Sequence, residues 1–314
     1  MERMSVAAST PVLEPAPALP ATPGAVAETP HVVVDDAFLT VTHRPGTSGI
    51  AVISFSGIGM GQRNAGRERS GGREQKAEFA GTLARAGARD HTQIYIMDRK
   101  RSWMNAIAGR LVPLLRQLTA KERAVITLGN SMGGFSAIWV AGQLPNCIRA
   151  IATAPQFSIN PAHAPQETRW QKYRSAIEVH LVGHAFDHAS PSVEYWAFFG
   201  REKEADLLHA DLFRRHGQES LRLFTLEGAG HNVARLMKRS GALMPVIRLL
   251  LQERPVVPGE VTERLSASGL TATTARPRGG PEGPALQQDR REARRQERRE
   301  ARRRERQKQR EAAG

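Results

Sequence analysis

Residues 129–133 read Gly-Asn-Ser-Met-Gly, after an apolar run, Ala124–Leu128, and before a helix-like stretch. At the junction of a strand and a helix, G-x-S-x-G carries chemistry. The sharp turn lifts Ser131 clear of the sheet, and glycines at 129 and 133 keep side chains out of it. A serine hydroxyl is a weak nucleophile until a neighbouring base takes its proton. The chemistry expected is attack of Ser131 on an acyl carbon. It needs a histidine, an orienting acid and a site for the oxyanion.

Ten histidines are present, and His231 in Leu-Glu-Gly-Ala-Gly-His-Asn is the candidate base. It follows the last apolar run of the α/β pattern on a glycine-rich turn, from which it can reach over a sheet edge. His180, His184 and His188 fall in an irregular segment, and His209 falls inside an expected helix. The acid is expected after the run Val193–Phe199, where Gly200-Arg201-Glu202-Lys203-Glu204-Ala205-Asp206 offers three carboxylates. Asp206 is preferred, although an Asp at a helix start is equally suited to capping it. Glu202 and Glu204 are alternatives, and Asp187 is a more distant one.

These residues need a scaffold, and the apolar patterning supplies one. Strands are expected at Phe38–His43, Ile50–Phe55, Thr92–Met97, Ala124–Leu128, Ile148–Ala154, Val193–Phe199 and Leu221–Leu226. Helices are expected at Glu74–Ala86, Met104–Leu118, after Ser131, at Leu207–His216 and at Ala234–Leu251. Short apolar runs alternating with helical spacing predict a mostly parallel sheet covered on both faces. Ligands bind such sheets beyond the carboxyl ends of the strands.

Composition divides the chain. Residues 1–34 are Ala/Pro-rich and predict a disordered segment. Residues 35–252 are long enough for one α/β domain with a sizeable core. Within it, residues 156–192 form either a lid or a surface excursion with a short helix near Glu167–Ile177. Residues 253–288 are Pro/Gly/Thr-rich and read as a flexible linker. Residues 289–314 form a basic tail of interleaved Arg and Glu without an apolar stripe. The net charge is +14, of which residues 285–314 contribute +6, from eleven Arg and one Lys against six acidic residues. The tail lacks interleaved aromatics, so weak polyanion binding is expected rather than a specific nucleic-acid module. Cys147 is the only cysteine, which excludes an intramolecular disulfide and a Cys-rich metal site. With no charged start followed by an apolar stretch, and no run long enough to span a bilayer, a reducing cytoplasmic setting is expected.

The order Ser131, Asp206, His231 and the elbow Gly129-Asn130-Ser131-Met132-Gly133 resemble those of the α/β-hydrolase superfamily over about Asp35–Leu251. No subfamily is assigned. The resemblance implies an α/β-hydrolase fold and a serine esterase or acyl hydrolase that requires neither a metal nor an organic cofactor. It also implies oxyanion donors at the backbone of Met132 and of the loop Phe55-Ser56-Gly57-Ile58-Gly59, with Ile58 the second donor. Family members often carry His-Gly where this chain has Ser56-Gly57. Gly57, Arg63, Arg99, Arg101 and Trp103 are the candidate substrate contacts. Arg63, Arg67, Arg69, Arg73, Lys76, Arg99, Lys100, Arg101, Arg201 and Lys203 crowd the loops expected around Ser131. They suggest a positive rim for an anionic small-molecule or glycan ester. The competing reading is a non-catalytic hydrolase-like module that binds an anionic polymer or protein.

Overall fold

The computed structural model describes residues 30–59, 77–216 and 219–275. Residues 1–29, Arg63 with the rest of 60–76, and the basic tail lie outside the described residues. The sheet has nine strands in the order β1-β2-β4-β3-β5-β6-β7-β8-β9. They are β1 (His31–Asp35), β2 (Leu39–Arg44), β3 (Ile50–Phe55), β4 (Thr92–Asp98), β5 (Ala124–Asn130), β6 (Cys147–Thr153), β7 (Glu194–Gly200), β8 (Leu221–Leu226) and β9 (Ala272–Ala275). The strands from β4 to β8 pair in parallel, while β1, β2 and β9 add antiparallel edges. Both faces are buried because successive side chains alternate sides. In β3, Ala51, Ile53 and Phe55 enter one core layer, and Ile50 and Val52 enter the other.

The first layer packs under α2 (Ala108–Leu118), α3 (Met132–Ala141) and Phe213 of α5 (Glu204–His216). The second packs against α1 (Ala80–Arg85), α6 (Val233–Arg239), α7 (Leu243–Leu250) and α8 (Pro258–Ser266). Helix α3 is buried along its whole length, so it is apolar all round. Arg149 of β6 is buried at the amino-terminal side of the sheet. Its guanidinium meets Glu194 and the carbonyls of Leu250, Gln252 and Arg254. That fully paired cation ties the end of α7 to the sheet. Cys147 is buried nearby, and burial pushes its thiol pKa up to about 12.

Register aligns the strand ends that matter. Phe55 lies opposite Gly129, Asn130 opposite Thr153, and Gly200 opposite Leu226. The loops beyond them share one edge. Gly200 allows two of these loops to touch, since a Cβ there would lie 2.2 Å from the carbonyl oxygens of Ala229 and Gly230.

Several expected boundaries differ. Residues 31–34, expected as part of a disordered segment, pair with β2 as most of β1. Residues 253–288, expected as a flexible linker, form α8 and β9 up to Ala275. The composition concealed a helix start: Pro258 begins the first turn, and Glu260 Oε2 accepts the Val257 N–H at 3.2 Å. Val261 and Leu265, four apart, are both 0% exposed. The expected helix Ala234–Leu251 is two helices, parted at Gly241 with φ +86°. The expected start of α2 at Met104 is instead a turn with left-handed Arg101, Trp103 and Met104.

A chain ending at Arg254 is expected to lose about 4 kcal/mol or more of stability, because Val256, Val261, Leu265 and Leu270 lose their burial. Urea unfolding would measure it. An unchanged midpoint would mean that this segment is an appendage after all.

Candidate active site

Ser131 sits between β5 and α3 with φ 55° and ψ −121°. A non-glycine residue holds that conformation only where its surroundings enforce it. They do so here: Ser131 N–H donates to Thr153 O at 2.8 Å, and Phe135 N–H donates to Ser131 O at 3.0 Å. The two glycines admit the crowding. A Cβ on Gly129 would lie 2.0 Å from Gly133 O, and one on Gly133 would lie 2.2 Å from Phe55 O.

His231 Nε2 lies 2.9 Å from Ser131 Oγ, and His231 Nδ1 lies 2.9 Å and 3.1 Å from the two Asp206 carboxylate oxygens. A carboxylate accepts only, so Nδ1 carries the proton and Nε2 is left free to take one from serine. Asp206 is 1% exposed. Its side chain turns to His231 and Arg169 rather than capping α5. Burial raises its pKa, but hydrogen bonds and charge from His231 and Arg169 outweigh that and hold it below the usual range. The other carboxylates serve elsewhere. Glu202 Oε1 accepts the Gly228 N–H in the His231 loop, Glu204 is exposed, and Asp187 caps the Gly183 and His184 amides.

The expected oxyanion donors are the amides of Met132 and Ile58. Among the described residues, none accepts a hydrogen bond from Met132 N–H or Ile58 N–H. Gly57 N–H is committed to Glu78 Oε2 at 2.7 Å. A Cβ on Gly57 would lie 2.9 Å from Asn130 O, so the loop closes tightly on the elbow. Burial raises the Glu78 pKa, partly offset by hydrogen bonds with Gly57 and Asn130.

The expected substrate contacts separate. Arg101 Nε donates to Ile58 O at 3.3 Å, and its guanidinium lies 5.9 Å from the Tyr173 ring centre. Arg99 turns instead to Thr40 and Asp35 on the antiparallel edge. Arg201 pairs with Glu227, and Lys100 lies over Phe38. Trp103 is 0% exposed and forms a wall rather than an open contact.

Residues 156–192 supply groups that the sequence did not single out. Arg169 donates to Asp206 Oδ1 at 2.7 Å and to Glu167 Oε2 at 2.7 Å. Glu167 Oε2 lies 2.6 Å from His209 Nε2. Phe157 N–H donates to His209 Nδ1 at 3.1 Å, so the ring's proton is on Nε2 and points at Glu167. Burial opposes ionisation of Glu167, yet His209 and Arg169 hold its pKa far below the usual range. Burial lowers the pKa of His209 despite Glu167. Trp170 lies beside His231, ring centres 6.3 Å apart. The only signal in the sequence was position, just beyond the carboxyl end of a central strand.

A protein-family model described as "Putative esterase" matches residues 71–190, which include Ser131. Among solved structures, the chain is similar to a 2,6-dihydroxy-pseudo-oxynicotine hydrolase at 19% identity, over 73% of this chain and 70% of that one, with a TM-score of 0.49. It is similar to a thermophilic esterase of the planctomycete Thermogutta terrifontis at 15% identity, over 66% and 83%, with a TM-score of 0.44. It is also similar to a lidless α/β serine hydrolase of Xanthomonas campestris at 15% identity, over 70% and 91%, with a TM-score of 0.42. No curated protein sequence matches. The parallel sheet, the strained serine at the end of its central strand and the chain order of the site have the arrangement of an α/β-hydrolase fold. Among the described residues, no helix is long and apolar enough to cross a membrane.

The buried charges make stability depend on pH. The pKa values of Asp206, Glu167 and His209 are all depressed in the folded chain, so the unfolded chain binds more protons and acid destabilises. Loss is expected to begin as pH falls through 6.5, the ordinary value for histidine, and to steepen below 4.5, that for glutamate. Urea midpoints at pH 7.5, 5.5 and 3.5 would show it, and a flat series would contradict the network.

Proposed function

We propose that the chain hydrolyses a small carboxylic ester, thioester or glycan ester through Ser131, His231 and Asp206. The observation that carries this reading is the unbroken Ser131–His231–Asp206 hydrogen-bond chain at 2.9 Å per link. Ser131 Oγ bonds to the acyl carbon while its proton passes to His231 Nε2, and the carbonyl electron pair moves onto oxygen. Met132 N–H and Ile58 N–H hold that oxyanion. His231 returns the proton to the departing alcohol or thiol as the acyl–heteroatom bond breaks. It then draws a proton from water as that water attacks the acyl-enzyme, and gives the proton to Ser131 Oγ as the bond to the acyl carbon breaks and the acid departs. Asp206 keeps the imidazole in the required tautomer and stabilises its cation.

Arg101, beside the Ile58 carbonyl, supports an ester whose acyl or alcohol part bears negative charge. A cation at that loop favours such a substrate both in approach and in binding.

Ser131→Ala and Asp206→Asn are expected to lower kcat by about four orders of magnitude. Glu202→Gln and Glu204→Gln are expected to stay near wild type. Labelling by a fluorophosphonate is expected at Ser131. A folded protein that takes no label and turns over no ester would instead be a binding module. For an anionic ester, KM is expected to rise with salt more than for a neutral one, and Arg101→Met is expected to remove the difference. Equal salt responses in the wild type would remove the anionic substrate.

A further inference from the structure

Gln156 touches the nucleophile from the side opposite His231's role. Its Nε2 lies 3.0 Å from Ser131 Oγ, and its Oε1 lies 3.2 Å from Trp103 Nε1. An indole N–H is only ever a donor, so it must face the amide oxygen. That fixes which end of the Gln156 amide meets the serine: the NH₂ end, itself donor-only. Ser131 Oγ therefore accepts from Gln156, and its single proton is left for His231 Nε2, 2.9 Å away.

Resting on the triad reading, we propose that Gln156 is a further catalytic residue: its amide, oriented by Trp103, aims the Ser131 proton at His231 and stabilises the negative charge that develops on Oγ. During attack, Oγ loses its proton to His231 before its bond to the acyl carbon is complete, so electron density on Oγ rises. A donor to the more anionic form favours that form. The same charge returns when Oγ leaves in deacylation, and the same N–H meets it. Gln156 and Trp103 are both 0% exposed and Ser131 is 5% exposed, so water competes little for these bonds.

The backbone around the pair carries strain that packing alone does not require. Ala154, two residues before Gln156, has φ 44°. Arg101, Trp103 and Met104 are also left-handed, at 53°, 49° and 71°. The Asp98 carboxylate holds this turn through Ser102 N–H and Oγ, at 2.8 Å and 2.9 Å. Asn105 Nδ2 donates to Ser102 O, and Asn105 Oδ1 accepts from Val182 N–H in the overlying segment. Strain over-determined in this way marks positions where a side chain must be aimed. Trp103 is a positioning residue, because it reaches the serine only through Gln156.

The test measures the second-order rate of Ser131 modification by a neutral alkyl fluorophosphonate, with Ser131→Ala as the blank. Gln156→Met keeps the volume without the donor and is expected to slow labelling and kcat about 10- to 100-fold, with KM little changed. Trp103→Phe keeps an aromatic ring, frees the amide to turn and is expected to slow both about 3- to 10-fold. The double variant is expected to match Gln156→Met alone within about twofold, because Trp103 acts through Gln156. A Gln156→Met rate within twofold of wild type overturns the proposal, as does a double variant whose losses multiply. If Gln156→Met does not fold, Trp103→Phe decides alone, and an unchanged rate overturns the proposal. Failure of wild-type Ser131 to label would instead refute the triad reading on which this rests.

Discussion

The site depends on a backbone conformation that the chain would not adopt unaided. Ser131 is left-handed in φ at the end of the central strand, and hydrogen bonds to Thr153 and Phe135 hold it there. The glycines at 129 and 133 let α3 pass within contact of β5 and of the end of β3. From this one turn follow the place of Oγ at the carboxyl end of the strands, the direction of α3 and the closeness of the Phe55–Gly59 loop. The strain is small beside the core that retains it, since two apolar layers clamp the strands on both faces.

How legible the site was depended on how local each signal is. The elbow is written in five adjacent residues, and the His231 turn in a run of glycines after an apolar strand. Asp206 was one of three nearby carboxylates. Only the fold separates it from Glu202, which ends on the Gly228 amide, and from Glu204, which faces solvent. Gln156, Glu167 and Arg169 had no local signature, because the partners that tie them to the site, Ser131, Trp103, His209 and Asp206, stand 25 to 53 residues away in the sequence. The fold was legible for the same reason as the elbow: buried strands are short apolar runs. The end of the domain was not. A Pro/Gly/Thr-rich composition hid two buried residues four apart, and four residues of β9 are too short to show a period.

Among the described residues, the basic side chains expected around Ser131 separate. Arg99, Lys100 and Arg201 each find a partner away from the serine. Arg101 instead reaches the acceptor loop. Counting basic residues in a loop measures what the loop contains, whereas the partners beside each residue decide where its charge is felt.

The shared guanidinium of Arg169 has one further consequence. It bridges the overlying segment to Asp206, and Glu167 and His209 complete a hydrogen-bonded set around it. Lifting that segment would strip the partners from charges with little access to water, at a cost of about 3–5 kcal/mol. At that cost only about one molecule in 150 or fewer would stand open at any moment. A segment tied down at that cost would stay in place during turnover, and through Arg169 it would fix the setting of Asp206.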